Sequence, residues 1–306
     1  MILKAVTIAS TVGLTLTFAS PQLSVAPSQS ALASTNQLLA VAPAFGGLEQ
    51  PVTQASGEVS VGDHELPADS SKPVQISGPD GVTLEVDLPV EAGHVEVAET
   101  TTDAVTYSSQ DSNDDVVVQS NSAGDLRVIT TVTSPESPHE FSYEVQSDYS
   151  VEVADDGTLL VYRFGEVRPS DGLERVDIFT VAEPWALDAN GSPVDTKYEV
   201  EGNTITQVVR PSASTTYPIV ADPTWEWYDA AYGAGWNKAE TQKLGTYSAA
   251  STLCAFVPGA LKAVCSVGAA SWIINTNRAV DRGGCVFYAV APVPVGLNYD
   301  KSKNCR

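Results

Sequence analysis

A chain of 306 residues with 38 Asp plus Glu, 16 Lys plus Arg and a net charge of −22 at pH 7 has length for one large or two modest domains. Its acidity excludes a broad nucleic-acid interface, because no basic surface is present to displace counterions from phosphate. The charge is also divided: residues 34–223 carry 33 acidic and 7 basic side chains, a balance of −26, whereas residues 224–306 carry 5 and 8, a balance of +3, together with all four cysteines.

In chain order, Lys4 precedes the uncharged, largely apolar run Ala5 to Ala19, and Ala31-Leu32-Ala33 offers the small-x-small pattern of a secretory cleavage site. The rival triplets ending at Ala26 and Ala42 each precede proline. The sequence therefore predicts a signal peptide over 1–33, too short in its apolar part to span a bilayer comfortably. No twin arginine precedes the run and no cysteine lies near the site, which points away from Tat export and lipidation. A secreted, extracellular protein is expected.

Residues 34–72 are rich in Ala, Ser, Gln, Gly and Pro with no sustained period of 2 or 3.6, and read as a disordered linker. From Pro73 the pattern turns to short alternating runs. Val82 to Leu88 places Val82, Leu84, Val86 and Leu88 on one face, and Phe141 to Val145 repeats the alternation. Turns with Asp, Asn and Gly separate such runs at Pro79-Asp80-Gly81, Asp155-Asp156-Gly157, Asp188 to Gly191 and Glu201-Gly202-Asn203. One polar face per strand implies antiparallel sheets, so 73–223 is expected to be an acidic β-sandwich domain.

After Asp222-Pro223 the period changes. Asn237-Lys238-Ala239-Glu240 matches a capping box, predicting a helix from Lys238 to Phe256. Val257-Pro258-Gly259 interrupts it, and a second helix from Ala260 to Val280 would stop at Gly283-Gly284. The overall expectation is a multidomain all-β plus small α protein, in which 224–306 is a disulfide-stapled αα-hairpin domain. Oxidative export makes the even cysteine count a structural framework, with three pairings open. An antiparallel hairpin sets Cys254 beside Cys265 and leaves Cys285 to Cys305. A cut near Asp222 to Trp225 should then release a separately folded piece. Between Thr246 and Asn277 the only charge is Lys262, which suits either a buried helix pair or a membrane-active segment.

The stretch Val181-Ala182-Glu183-Pro184-Trp185-Ala186-Leu187-Asp188-Ala189-Asn190-Gly191, then Tyr198 to Thr204, then Tyr217-Pro218-Ile219-Val220-Ala221-Asp222-Pro223, resembles a module of secreted actinobacterial proteins of uncharacterised function. In those proteins a β-rich region ending in a YP-I/V-VADP signature precedes varied C-terminal domains. Trp236 to Thr241, a cysteine-containing helical segment and a final cysteine near the terminus are similar to one such group. The resemblance covers about residues 73–306; it implies export and a two-part architecture, and it brings no catalytic motif.

Chemistry-bearing patterns are sparse. The sequence has no G-x-S-x-G, H-E-x-x-H, P-loop or C-x-x-C, and no cofactor or metal is expected. His64, His94 and His139 are scattered; His139 beside Glu140 is the best placed for acid–base work, although an exposed strand-end histidine is the commoner outcome. Asp111-Ser112-Asn113-Asp114-Asp115 opens like a calcium loop, but Val116 stands where glycine is needed and Ser122 where the bidentate glutamate belongs, so a solvated acidic turn is favoured. Trp225, Trp227, Tyr228, Tyr232 and Trp236 form a candidate interaction surface that, if exposed, would stack on sugar rings or sit at a membrane interface, but core or interdomain packing is the favoured use of such a cluster. The leading expectation is a non-enzymatic protein whose acidic β domain presents the helical domain to the cell envelope, a membrane surface or another protein. A bacteriocin-like, membrane-perturbing C-terminal domain is the second reading and an extracellular hydrolase the third.

Overall fold

Short alternating runs become antiparallel strands through most of the chain. The computed structural model describes residues 39–40, 42–53, 59–68, 72–89, 97–100, 104–108, 115–154, 157–170, 172–246, 254–255, 265, 272–289, 295–299 and 305. Every strand pairing among them is antiparallel.

Strands β1 (Pro51–Thr53), β2 (Val59–Val61), β3 (His64–Leu66), β4 (Val74–Ser77) and β5 (Thr83–Val86) form one sheet in that order. The first three fall inside the expected linker, which is thereby corrected: Val59, Val61 and Leu66 are buried in the main core. Strands of three residues hold two inward side chains at most, too few to register as a period in sequence.

A meander follows, made of β6 (Val97–Thr100), β7 (Val105–Ser108), β8 (Asp115–Ser120) and β9 (Leu126–Val132). All seven residues of β9 are buried, including Arg127, Thr130 and Thr131, because the sheet is covered on both faces there. Strand β10 (Glu140–Glu144) begins a separate sheet. Next come β11 (Ser150–Val153), β12 (Leu159–Val167), β13 (Glu174–Val181) and β14 (Trp185–Asp188), and then β15 (Asp195–Glu201) and β16 (Thr204–Arg210), which complete the order β10-β16-β15. Asn203, in the turn between the last two, donates Nδ2 to the carbonyls of Gln146 and Tyr149, at 3.0 and 2.9 Å. Strands β17 (Ile219–Asp222), β18 (Thr224–Gly235), β19 (Cys285–Ala289) and β20 (Val295–Tyr299) complete a 12-stranded sheet. Its principal path runs β11-β12-β13-β18-β9-β8-β7-β6.

The expected boundary at 223/224 runs through the middle of that sheet. β18 pairs with β13 from Val181↔Trp225 to Glu174↔Gly233, with β9 at Thr224↔Arg127, and then with β19 at Gly233↔Ala289. Gly233 is needed for this junction, since a Cβ there would lie 2.1 Å from the Tyr288 carbonyl oxygen. Phe164 packs edge-on against Phe287 with ring centres 4.8 Å apart, and Arg282 faces the buried Glu152 at 3.8 Å. A cut between Asp222 and Trp225 therefore separates two chain ends within one sheet, and the expected release of a C-terminal piece is withdrawn. The charge contrast that suggested the division reports surface composition, which strand pairing does not follow.

The capping box forms: Asn237 Oδ1 accepts from Glu240 N at 3.0 Å, and Glu240 Oε2 accepts from Asn237 N at 2.9 Å. The helix it starts, Lys238–Gly245, ends well before Phe256, because Thr246 donates through both its N–H and its Oγ1 to Lys243 O and closes the last turn. Residues 254–255 and 265 are helical, as are 272–281, which end at Gly283 in the left-handed conformation at φ 66°. The remainder of the expected αα-hairpin lies outside the described residues. Disulfides join Cys254 to Cys265 and Cys285 to Cys305, the two expected pairs, with Cα separations of 5.6 and 5.5 Å. Trp272, Thr276 and Ala279 form the buried face of the last helix, and Trp272 stacks on Tyr288 with centres 4.4 Å apart and planes within 6°. No helix among the described residues is long and apolar enough to cross a membrane.

Candidate functional site

Alternation along β17 and β18 puts Val220, Asp222 and Thr224 on one face of the large sheet. Thr224 is paired with Arg127 of β9, which is paired in turn with Gln119 of β8. Asp222 is 1% exposed and Arg127 5%. The carboxylate accepts one hydrogen bond, from Thr224 Oγ1 to Oδ2 at 2.7 Å. Burial pushes Asp222 up to about 7, against the opposing influence of the Thr224 hydroxyl and the Arg127 charge. Burial also lowers Arg127, while Asp222 acts to raise it.

The groups around this centre come from several strands. Tyr143 of β10 is fully buried, edge-on to Trp225 at 6.3 Å, and is raised well above the ordinary tyrosine range by burial and then by the Asp222 charge. Tyr198 of β15 is raised for the same two reasons, and its buried Oη has no hydrogen-bond partner among the described residues. Gln207 of β16 donates Nε2 to the Trp185 carbonyl at 3.2 Å, and Trp185 is the register partner of Asp222.

A strap from the start of the described chain closes the face that carries Asp222. Leu39 and Ala42 pack against Val117, Ile129 and Val220, with Trp185 and Leu187 alongside. Arg127 donates Nη1 to the Pro43 carbonyl at 2.8 Å and Nη2 to Gln119 Oε1 at 2.6 Å, and its guanidinium lies 4.4 Å from the centre of the Phe45 ring. Beyond Phe45 the strap is tied by Gly47 O to Ser122 N at 2.8 Å and by Glu49 N to Ser120 O at 2.9 Å, before it enters β1. Gly47 has φ 67°, and a Cβ there would meet Ser122 Oγ at 2.3 Å.

The candidate aromatic surface is largely consumed by packing. Trp225 is fully buried in the main core, and Trp227 packs against that core, edge-on to Phe179 at 5.0 Å. Tyr232 carries the Arg168 guanidinium 4.1 Å above its ring, and Trp236 lies against Tyr288 at 4.7 Å. Tyr228 differs, being 41% exposed. It falls where the register of β13 and β18 shifts between Ile178↔Asp229 and Phe179↔Trp227, so a bulge turns it outward.

The histidines do not converge. His64 of β3 is fully buried, accepts from Ser77 N through Nδ1 at 3.1 Å, and is lowered by burial. His139 lies before β10, with its backbone carbonyl bonded to Val209 N. His94 and residues 111–114 of the acidic loop lie outside the described residues. Among the described residues no group of three His, Cys, Asp or Glu is arranged to hold a metal. Sequence reasoning missed the Asp222 centre and the strap, although Asp222 and Thr224 stand as polar residues on the β-face marked by Val220.

No family model, no curated protein and no solved structure matches the chain.

Proposed function

We propose that this is a secreted, non-enzymatic protein in which an acidic β body carries a disulfide-stapled C-terminal part toward the cell envelope or a protein partner. We read the sheets packed around the main core as a sandwich, and the stapled segment as a helical hairpin docked on β19. The observation that carries the non-enzymatic reading is the enclosure of the carboxyl that burial raises to about 7: Asp222 is 1% exposed. A general acid or base has to reach a substrate atom within hydrogen-bond range. Two disulfides suit an oxidising, extracellular compartment.

A bacteriocin-like reading is favoured by one observation, the single charge between Thr246 and Asn277. Against it, the described last helix turns Trp272, Thr276 and Ala279 inward, leaving Ile274, at 48% exposure, as its outward apolar residue. Two assays on the full chain separate the readings. Co-sedimentation with isolated actinobacterial envelopes without dye release from anionic vesicles is the expected result, with sedimentation lost on reduction. Vesicle leakage at sub-micromolar protein overturns it in favour of membrane perturbation. Absence of sedimentation overturns the envelope half of the reading and leaves a protein partner.

A further inference from the structure

The five-stranded sheet is joined weakly at its middle. Strands β4 and β5 share four register pairs, from Val74↔Val86 to Ser77↔Thr83, whereas β3 meets β4 at the single pair Glu65↔Gln75. Beyond that pair the Ser77 N–H donates to a side chain, Nδ1 of His64, at 3.1 Å. His64 is fully buried and is the register partner of Val61, so its ring lies on the inward face of the β2–β3 hairpin with Val59, Val61 and Leu66. We propose that this hairpin, residues 59–66, is a flap opened by acid: a proton taken up at His64 Nδ1 removes the acceptor that the Ser77 N–H requires, and the hairpin leaves the edge of β4.

A ring nitrogen that accepts from an N–H carries no proton, so the closed hairpin holds a neutral imidazole with its hydrogen on Nε2. Protonation makes donors of both ring nitrogens. Nδ1–H and Ser77 N–H then face one another with no acceptor between them, and an imidazolium is left dry on an apolar face. Opening gives water to both groups; the proton comes from solvent and stays on the ring. Burial holds His64 below its ordinary 6.5, against the Gly124 backbone and the carboxylates of Asp63, on its own turn, and Asp125, on the β8–β9 turn. From β4 it meets the uncharged Ser77, and from the strap Glu49 reaches the same turn, 3.6 Å from where a Gly62 Cβ would stand. Asp63 is exposed and travels with the ring, so the open form keeps a counter-charge beside the imidazolium. Two further ties flank the flap and can persist when it opens: Tyr107 Oη donates to the Pro67 carbonyl at 2.8 Å, and Glu49 N to Ser120 O at 2.9 Å.

Backbone hydrogen exchange of the intact chain between pH 8 and pH 5, above its isoelectric point of about 4.2 and corrected for the intrinsic effect of pH, tests this. Protection of peptides from 59–66 should be constant above pH 6.5 and fall by about tenfold per pH unit below it until it levels off, while peptides from β5 and β9 keep theirs. His64→Gln, which retains an oxygen acceptor for Ser77 N–H and takes up no proton, should show no such fall. Nitrogen-15 NMR of the imidazoles gives a second readout: at pH 8 the ring signal that disappears in His64→Gln should be that of an Nε2–H tautomer. A flat wild-type exchange profile overturns the proposal without recourse to any variant. So does an opening shared equally by β5 and β9, a wild-type pH dependence in His64→Gln, or an Nδ1–H tautomer at pH 8.

Discussion

Asp222→Asn removes the ionisation of a carboxyl that burial raises from an ordinary 3.8 to about 7. Between those values the folded protein holds a proton that the unfolded chain has released, so this group's contribution to stability is full below pH 3.8 and is lost as the pH rises to about 7. At about 1.4 kcal/mol per pH unit, the whole span amounts to about 4 kcal/mol, and the part between pH 5 and pH 8 to about 3 kcal/mol. Substitution also changes packing and the hydrogen bond from Thr224, worth about 1 kcal/mol in either direction, but that contribution is nearly independent of pH. Comparison of wild type and variant at the two pH values therefore isolates the ionisation. Urea unfolding followed by tryptophan fluorescence at pH 5 and pH 8 should show the variant gaining about 3 kcal/mol relative to wild type at the higher pH. Parallel stability curves for the two proteins would refute the assignment of a buried, neutral Asp222.

His64 should act in the opposite sense. Its lowered value means that stability is present above 6.5 and lost as the pH falls below that toward the folded value, and His64→Gln should flatten the acid limb of the thermal melting curve. Gly233→Ala drives a methyl group into the Tyr288 carbonyl and should cost about 3 kcal/mol or more by chemical denaturation, destabilising the β body and the C-terminal part in one transition. Two separate transitions, with only the later part affected, would restore the boundary at 223/224. Opening either disulfide, Cys254–Cys265 across 11 residues or Cys285–Cys305 across 20, should cost about 3 kcal/mol by the loop-closure argument, measured as the loss in the urea midpoint of the Ser-for-Cys pair variants.

The antiparallel, β-rich character of the chain was legible because alternation within a strand is a local property. Val82 to Leu88, Phe141 to Val145 and the Asn-Gly and Asp-Gly turns each state their conformation within a few residues. The capping box of Asn237 and Glu240 is equally local, and so is the pairing of cysteines close in sequence. The linker was misjudged because strands as short as β1 to β3 carry no period of their own and gain their burial from β4, β5 and the core they cover. The early end of the first helix escaped notice because helix propensity continues past Gly245, where a side chain would collide with Val280 at 2.8 Å.

Residue order and composition by themselves determined the longer alternating strands, the turns, the capping box and an even set of cysteines suited to oxidation, since all of these depend on neighbours a few bonds or one turn away. Only the tertiary structure decided that β18 joins both parts of the chain in one sheet, and that Trp225 serves the core while Tyr228 is turned outward by a bulge. It alone also brought Pro43, Phe45 and Gln119 to Arg127. These outcomes rest on pairings between strands up to 99 residues apart, as at Trp225↔Leu126. The electrostatic character of a carboxyl such as Asp222 is set by the water such pairings exclude, which the sequence around it does not encode.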